Sequence, residues 1–126
     1  MNPTGNAGDA SVGFLTVVQV SGAGAVGGLL VLNSRGRPLE FHCTAPVVTN
    51  RAQEILYGQT LRPYLFGEQI GATLLQKCRS QPQVVATDSK DALAARWTVS
   101  LPMAWVPYDT KDRGIHTPDQ PELMVG

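Results

Sequence analysis

The chain of 126 residues is short of cysteine, of charge and of long apolar runs, and each shortage closes off a class of protein. Cys43 and Cys78 are its only cysteines. A lone pair is far from the dense pattern that staples small secreted domains, so reduced thiols are expected. No unbroken apolar run reaches the ~18 residues of a membrane-spanning helix, because Gln19, Ser21 and several glycines interrupt the longest candidate. Met1 to Ser11 holds no basic residue ahead of the apolar stretch that follows, which argues against the start of a signal peptide and predicts a cytoplasmic protein. Self-similarity at the roughly 20–50-residue periods of solenoids and propellers is also missing. Ten Lys and Arg balance ten Asp and Glu, and a net charge of zero removes the bulk attraction that draws basic proteins onto nucleic acid. Charged residues make up 16% of the chain, against about a quarter in an average domain. Much of the surface must then be small, apolar or uncharged, which predicts a covered face and hence a protein partner or self-association, with no membrane.

What is present reads as one α/β domain over residues 12–106, between a flexible lead (1–11) and a polar, Pro-containing tail (107–126). Phe14 to Val20 is β-branched and apolar on both faces, as in a strand buried in the middle of a sheet. Ser21 to Gly28 is glycine-rich and predicts a turn, after which Leu29 to Leu32 resumes the apolar run. Asn33 to Gly36 has hairpin chemistry and leads into a third strand. There Leu39, Phe41 and Cys43 share one face while Glu40, His42 and Thr44 share the other, the period of two of a half-exposed strand. Asn50 with Gln53 forms a capping pair that starts a helix, with Ala52, Ile55 and Leu56 on its inner side. Gly58, Thr60 and Pro63 predict a break near residues 58–62. Phe66, Ile70, Leu74 and Cys78 then repeat every fourth residue, a stripe made to lie on a sheet. A short buried strand over Gln83 to Ala86, a small helix over Lys90 to Arg96 capped by Asp88 or Ser89, and a last strand within Leu101 to Val106 complete the series. The order is βββ-α-β-α-β, a mixed sheet with the long, broken helix packed on one face.

Few residues form recognisable chemical sites. His42 and Cys43 are neighbours on a strand and point to opposite sides, so they do not share a metal. Cys78 and His116 follow at spacings of 35 and 38 residues, which match no compact zinc module; Cys43 and Cys78 are expected to meet instead at the interface of sheet and helix. The glycines of Ser21 to Gly28 lack the Gly-Lys-Ser/Thr ending of a phosphate loop and precede a strand where a helix should stand. Arg35, Arg37 and Arg51, with Arg62, make a candidate phosphate-contacting rim, or else are solvated or paired with Glu40 and Glu54. Tyr57, Tyr64, Phe66 and Trp105 are the candidate interface residues, the alternative being burial in the core.

Thr49-Asn50-Arg51-Ala52-Gln53-Glu54 and the triplet Thr87-Asp88-Ser89, together with Gly27-Gly28 in the first hairpin, are similar to motifs of the ribonuclease H-like superfamily. The resemblance spans roughly residues 14–106, and the core of that family has a similar element order. It implies a metal-dependent nuclease in which carboxylates hold two divalent cations, Mg²⁺ or Mn²⁺, and assigns Asp88 and Glu54 as both metal ligands and catalytic residues. The family's first strand carries an aspartate near its middle. Phe14 to Val20 has none, and Asp9, the nearest, precedes the strand. The reading that follows is a non-catalytic binding or assembly module without a cofactor, a homodimer or a subunit of a larger complex. The alternative is a divalent-metal nuclease or nucleic-acid-processing domain resembling ribonuclease H.

Overall fold

Ser11–Val20 forms β1, and its ten residues alternate in burial along most of their length because one side of the strand meets helices and the other does not. A computed structural model describes residues 10–107. The strand begins one residue ahead of the expected domain start, and Ser11 is buried, its hydroxyl donating to the Gln81 carbonyl at 3.4 Å. Residues 1–9 and most of the expected tail, 108–126, lie outside the described residues.

β2 (Gly24–Asn33) pairs antiparallel with β1 over its whole length, so the turn is confined to residues 21–23 and Gly24, Gly27 and Gly28 belong to the strand rather than to the expected loop. β3 (Pro38–Cys43) pairs antiparallel with β2. β4 (Val84–Thr87) lies parallel to β1 on its other side, and β5 (Met103–Trp105) parallel to β4. The sheet is mixed and runs β3-β2-β1-β4-β5. This is an α/β architecture in the predicted element order.

Asn50 caps α1 (Arg51–Tyr57) with a reciprocal box: its side chain accepts from the Gln53 amide at 2.8 Å, and the Gln53 side chain accepts from the Asn50 amide at 3.0 Å. Gly58, at φ +55, ends the helix, and a 3-10 turn (Gly58–Thr60) occupies the predicted break. The chain then resumes as a π-helix (Pro63–Gly71) that continues into α2 (Ala72–Lys77). One expectation fails here. α1 buries no residue, and Ala52, Ile55 and Leu56, read as its inner side, are exposed, Leu56 by 82%. Seven residues ending at a glycine are too few to reach back to the sheet, so of this broken helix only the long second limb covers the core.

That limb behaves as the stripe predicts. Phe66, Ile70 and Leu74 are buried against Leu15, Val17, Leu29 and Val31, with Cys78 half-buried beyond them. Two glycines set the separation of the layers. A Cβ on Gly27 would overlap Ile70 Cγ2 and stand 3.0 Å from Leu74 Cδ1; one on Gly67 would meet Ala94 Cβ at 2.6 Å and the Ala95 amide nitrogen at 2.7 Å. The second contact is with the 3-10 helix (Lys90–Trp97) that links β4 to β5. No side chain caps that helix; Thr87 Oγ1 instead accepts from the Ser89 amide at 3.1 Å.

β3 is turned the opposite way from ordinary amphipathic packing. Its apolar residues Leu39 and Phe41 face solvent, while Glu40 and His42 are the more enclosed pair. The reason lies in the end of α2, whose chain descends on this strand with amides that need an acceptor. The Glu40 carboxylate accepts from the Arg79 amide at 2.9 and 3.0 Å and from the Ser80 amide, and His42 Nε2 lies 2.8 Å away. Burial alone would raise this carboxyl, but the hydrogen bonds from Ser80, Arg79 and His42 outweigh it and hold the group at about 2. Cys78 is the thiol beside it, 3.8 Å from Glu40 Oε2. Cys43 is exposed on the other side of the sheet, so the expected meeting of the two cysteines does not occur.

Two predictions follow from this packing. Gly27→Ala and Gly67→Ala each force the helical layer outward and lower the unfolding free energy by about 1–3 kcal/mol in urea denaturation. Gly67→Ala is the costlier, because backbone rather than a movable side chain blocks its methyl group. The Glu40 carboxyl lies at about 2 when folded against an ordinary 4.5, so its contribution is complete above 4.5 and is lost as pH falls from there toward 2. Glu40→Gln removes roughly 1–3 kcal/mol at pH 7; the gap between wild type and variant closes on acidification, measured by urea titrations from neutral to acid pH.

Candidate functional site

Every helix that packs on the sheet does so on one side, and the second side is apolar and bare among the described residues. Alternation along β1 places Phe14, Thr16 and Val18 there, opposite buried Leu15 and Val17. Exposure reaches 45% at Phe14, 50% at Val18 and 65% at Phe41. Gly28 thins the sheet between them, its missing Cβ 3.8 Å from the Phe41 ring, and a hollow of about 610 Å³ opens over β1 and β2. Phe14, Val18, Leu30 and Phe41 line it together with Val106. Its size is that of a binding cleft, and its polar groups are few: Thr16, Asp88 and the Cys43 thiol at the margins.

Asp88 stands one residue past the carboxyl end of β4, where open α/β sheets place ligand-binding groups. The parallel register sets Leu15 against Thr87, which brings Thr16 level with Asp88, and the Thr16 hydroxyl donates to Asp88 Oδ1 at 2.9 Å. A hydroxyl therefore occupies the middle of the first strand, where the resemblance calls for an acid. Glu54, the other residue assigned to metal and catalysis, sits exposed on α1 and accepts from the Thr49 hydroxyl at 3.4 Å. Among the described residues no group of three or more His, Cys, Asp or Glu side chains could hold a metal ion. Among the described residues the several converging carboxylates of a two-cation centre are not assembled; Asp9, the acid nearest the first strand in sequence, lies outside them.

The remaining candidates are scattered. Arg35 and Arg37 are exposed in the β2–β3 turn, where their amides donate to Asn33 Oδ1 at 2.9 and 3.0 Å, and Arg51 is exposed at the start of α1. Arg62 pairs with Asp91 at 3.0 Å and lies 4.3 Å over the Phe66 ring. Phe66 itself is 1% exposed and belongs to the core, which corrects its assignment to an interface. Tyr57 and Tyr64 stack on one another at 4.7 Å, and Trp105 is partly exposed with Lys90 Nζ 5.4 Å from its ring. Composition pointed to an uncovered face without locating it. The signal that would have done so is a count of helices, since one helical limb and one short 3-10 segment suffice to cover a single side of five strands.

No protein-family model matches the chain, and no curated protein matches it in sequence. Among solved structures it is similar to human endonuclease V, at 22% identity over 65% of this chain and 34% of that one, with a TM-score of 0.40. The catalytic domain of the human enzyme matches at 24% identity over 64% of this chain and 34% of that one, TM-score 0.38. Endonuclease V of Ciona intestinalis, in complex with a 23mer DNA containing an inosine followed by a ribo-adenosine, matches at 15% identity over 86% of this chain and 51% of that one, TM-score 0.48. The chain thus spans between a third and a half of the length of these nucleases. No helix among the described residues is long and apolar enough to cross a membrane.

The Thr16 and Asp88 pair gives a direct test of the donor argument. Thr16→Asp sets two carboxylates side by side, lowers the melting temperature by a few degrees in chelator, and recovers that loss in millimolar Mn²⁺. The wild-type melting temperature stays unchanged by the same addition, as read by differential scanning fluorimetry.

Proposed function

We propose that this chain is a non-catalytic binding and assembly module whose working surface is the open face of its sheet. The observation that carries this reading is the exposure of Phe14, Val18 and Phe41 around one hollow on a side that no described helix covers. Apolar surface of that extent, rimmed by polar groups, is where soluble domains meet partners. Aromatic side chains at its centre have the character of anchors. The interface then differs from the expected one: Phe41 and Phe14 take the place of Phe66, while Tyr57, Tyr64 and Trp105 lie on other elements.

A second reading, a divalent-metal nuclease or nucleic-acid-processing domain, is favoured by the placement of Asp88 at the end of β4 beside β1. The similar solved structures share its class. It requires further carboxylates to be brought to Asp88 from outside the set of described side chains.

Purified full chain incubated with single- and double-stranded nucleic acid in Mg²⁺ or Mn²⁺ separates the two. The module reading expects no cleavage and no thermal response to either cation. It also expects Val18→Ser with Phe41→Ser to keep the circular dichroism spectrum while abolishing assembly, read as mass by light scattering. Cleavage that Asp88→Asn removes overturns it in favour of the nuclease.

A further inference from the structure

We infer that the open face is covered by the same face of a second copy of this chain, forming a two-fold, sheet-on-sheet dimer. The inference rests on the binding-module reading and names its partner. The first argument is area. The five strands contain 33 residues, and at ~3.4 Å per residue and ~4.8 Å between strands they present a footprint of ~540 Å². That is the upper range of the largest patch a monomer leaves open, ~300–600 Å². Two such faces together remove ~1,100 Å², which clears the ~1,000 Å² at which a specific interface becomes credible.

The second argument is charge. The chain as a whole is neutral, so two copies approach without repulsion. Among the described residues that line the hollow, Asp88 is the sole acidic or basic side chain, and it sits at the end of β4 away from Phe41 on β3. A two-fold axis over β1 and β2, parallel to the strands, puts the two Asp88 carboxylates on opposite sides of it, each held by its own Thr16 hydroxyl. A face with no charge pattern offers nothing to select a foreign charged partner and no penalty against its own copy.

The third argument is shape. The two-fold operation requires that whatever projects from one copy be received by the other. Phe41, the most exposed large side chain of the face, projects from β3 at one side of the hollow, and Gly28 lowers the floor beside it. Rotation about an axis through the central strands carries the Phe41 of each copy over the hollow of the other. Sheets packed this way lie ~10 Å apart, the distance at which interleaved apolar side chains fill the gap.

Cys43 supplies a built-in reporter. It lines the hollow and is exposed in the single chain, whereas the Cys78 thiol, pushed up to about 11 first by burial and then by the Glu40 carboxylate, yields little thiolate at neutral pH. The experiment is sedimentation equilibrium of the full chain across a concentration series, with the rate of Cys43 modification measured in parallel. The expected result is a mass twice the 13.5 kDa of one chain, converted to one chain by Phe41→Glu and independently by Val18→Lys, with circular dichroism retained. Cys43 then reacts at least tenfold faster in either variant than in wild type. Leu56→Glu, on exposed α1, leaves the dimer intact. A dimer broken by Leu56→Glu and untouched by both face variants overturns the inference, since its joint lies elsewhere. A wild-type monomer at every concentration with rapidly reacting Cys43 overturns the second copy while the open-face reading survives. A monomer in which Cys43 is protected overturns both.

Discussion

Among the described residues one side of the sheet carries the whole helical layer, and the rest of the fold answers to that asymmetry. The π-helix and α2 rest on β1 and β2 through Phe66, Ile70 and Leu74, and Gly27 lets them come close. The 3-10 helix closes on the same layer through Gly67 and Gly71, small enough to admit Ala94 and Ala95. With both connections spent on one side, the central strand, apolar on both faces, has a covered side and one that no described helix covers. A strand of this composition is ordinarily found between two layers. Its outward residues are then surface that favours association.

The polar clamp at β3 is the counterpart of that arrangement. Where α2 ends, its chain turns back toward β4, and the amides of Arg79 and Ser80 arrive over the edge strand β3. Glu40 meets them, His42 adds a further contact, and the carboxyl stays ionised far below its ordinary range. Placing the polar residues of β3 inward sends Leu39 and Phe41 outward. The same choice that secures the end of the helix thus enlarges the apolar face and exposes Cys43 beside it.

The chemistry expected from the resemblance depends on convergence, which the carboxylates among the described residues do not reach. Asp88 holds the strand-end position that the Thr87-Asp88-Ser89 triplet suggested, yet its neighbour across the parallel register is the Thr16 hydroxyl. Glu54 is carried on a helix that buries nothing, and it accepts from the Thr49 hydroxyl. A lone carboxylate and a hydroxyl make a hydrogen bond, and a hard divalent cation asks for more oxygen ligands than the pair supplies.

Local rules made several features legible in advance. Asn50 and Gln53 cap a helix, Gly58 and Pro63 interrupt it, and the spacing of Phe66, Ile70 and Leu74 marks the buried stripe, because each rests on residues within a few positions of one another. The element order and the mixed sheet were legible for the same reason. The fate of Ile55 and Leu56, the inward turn of Glu40 and the exposure of Phe41 were not, since each is decided by what a distant segment brings to that side of the sheet. Periodicity states that a strand has two unlike faces. Which of them meets a helix, and which is left to water or to another chain, depends on where the connections cross.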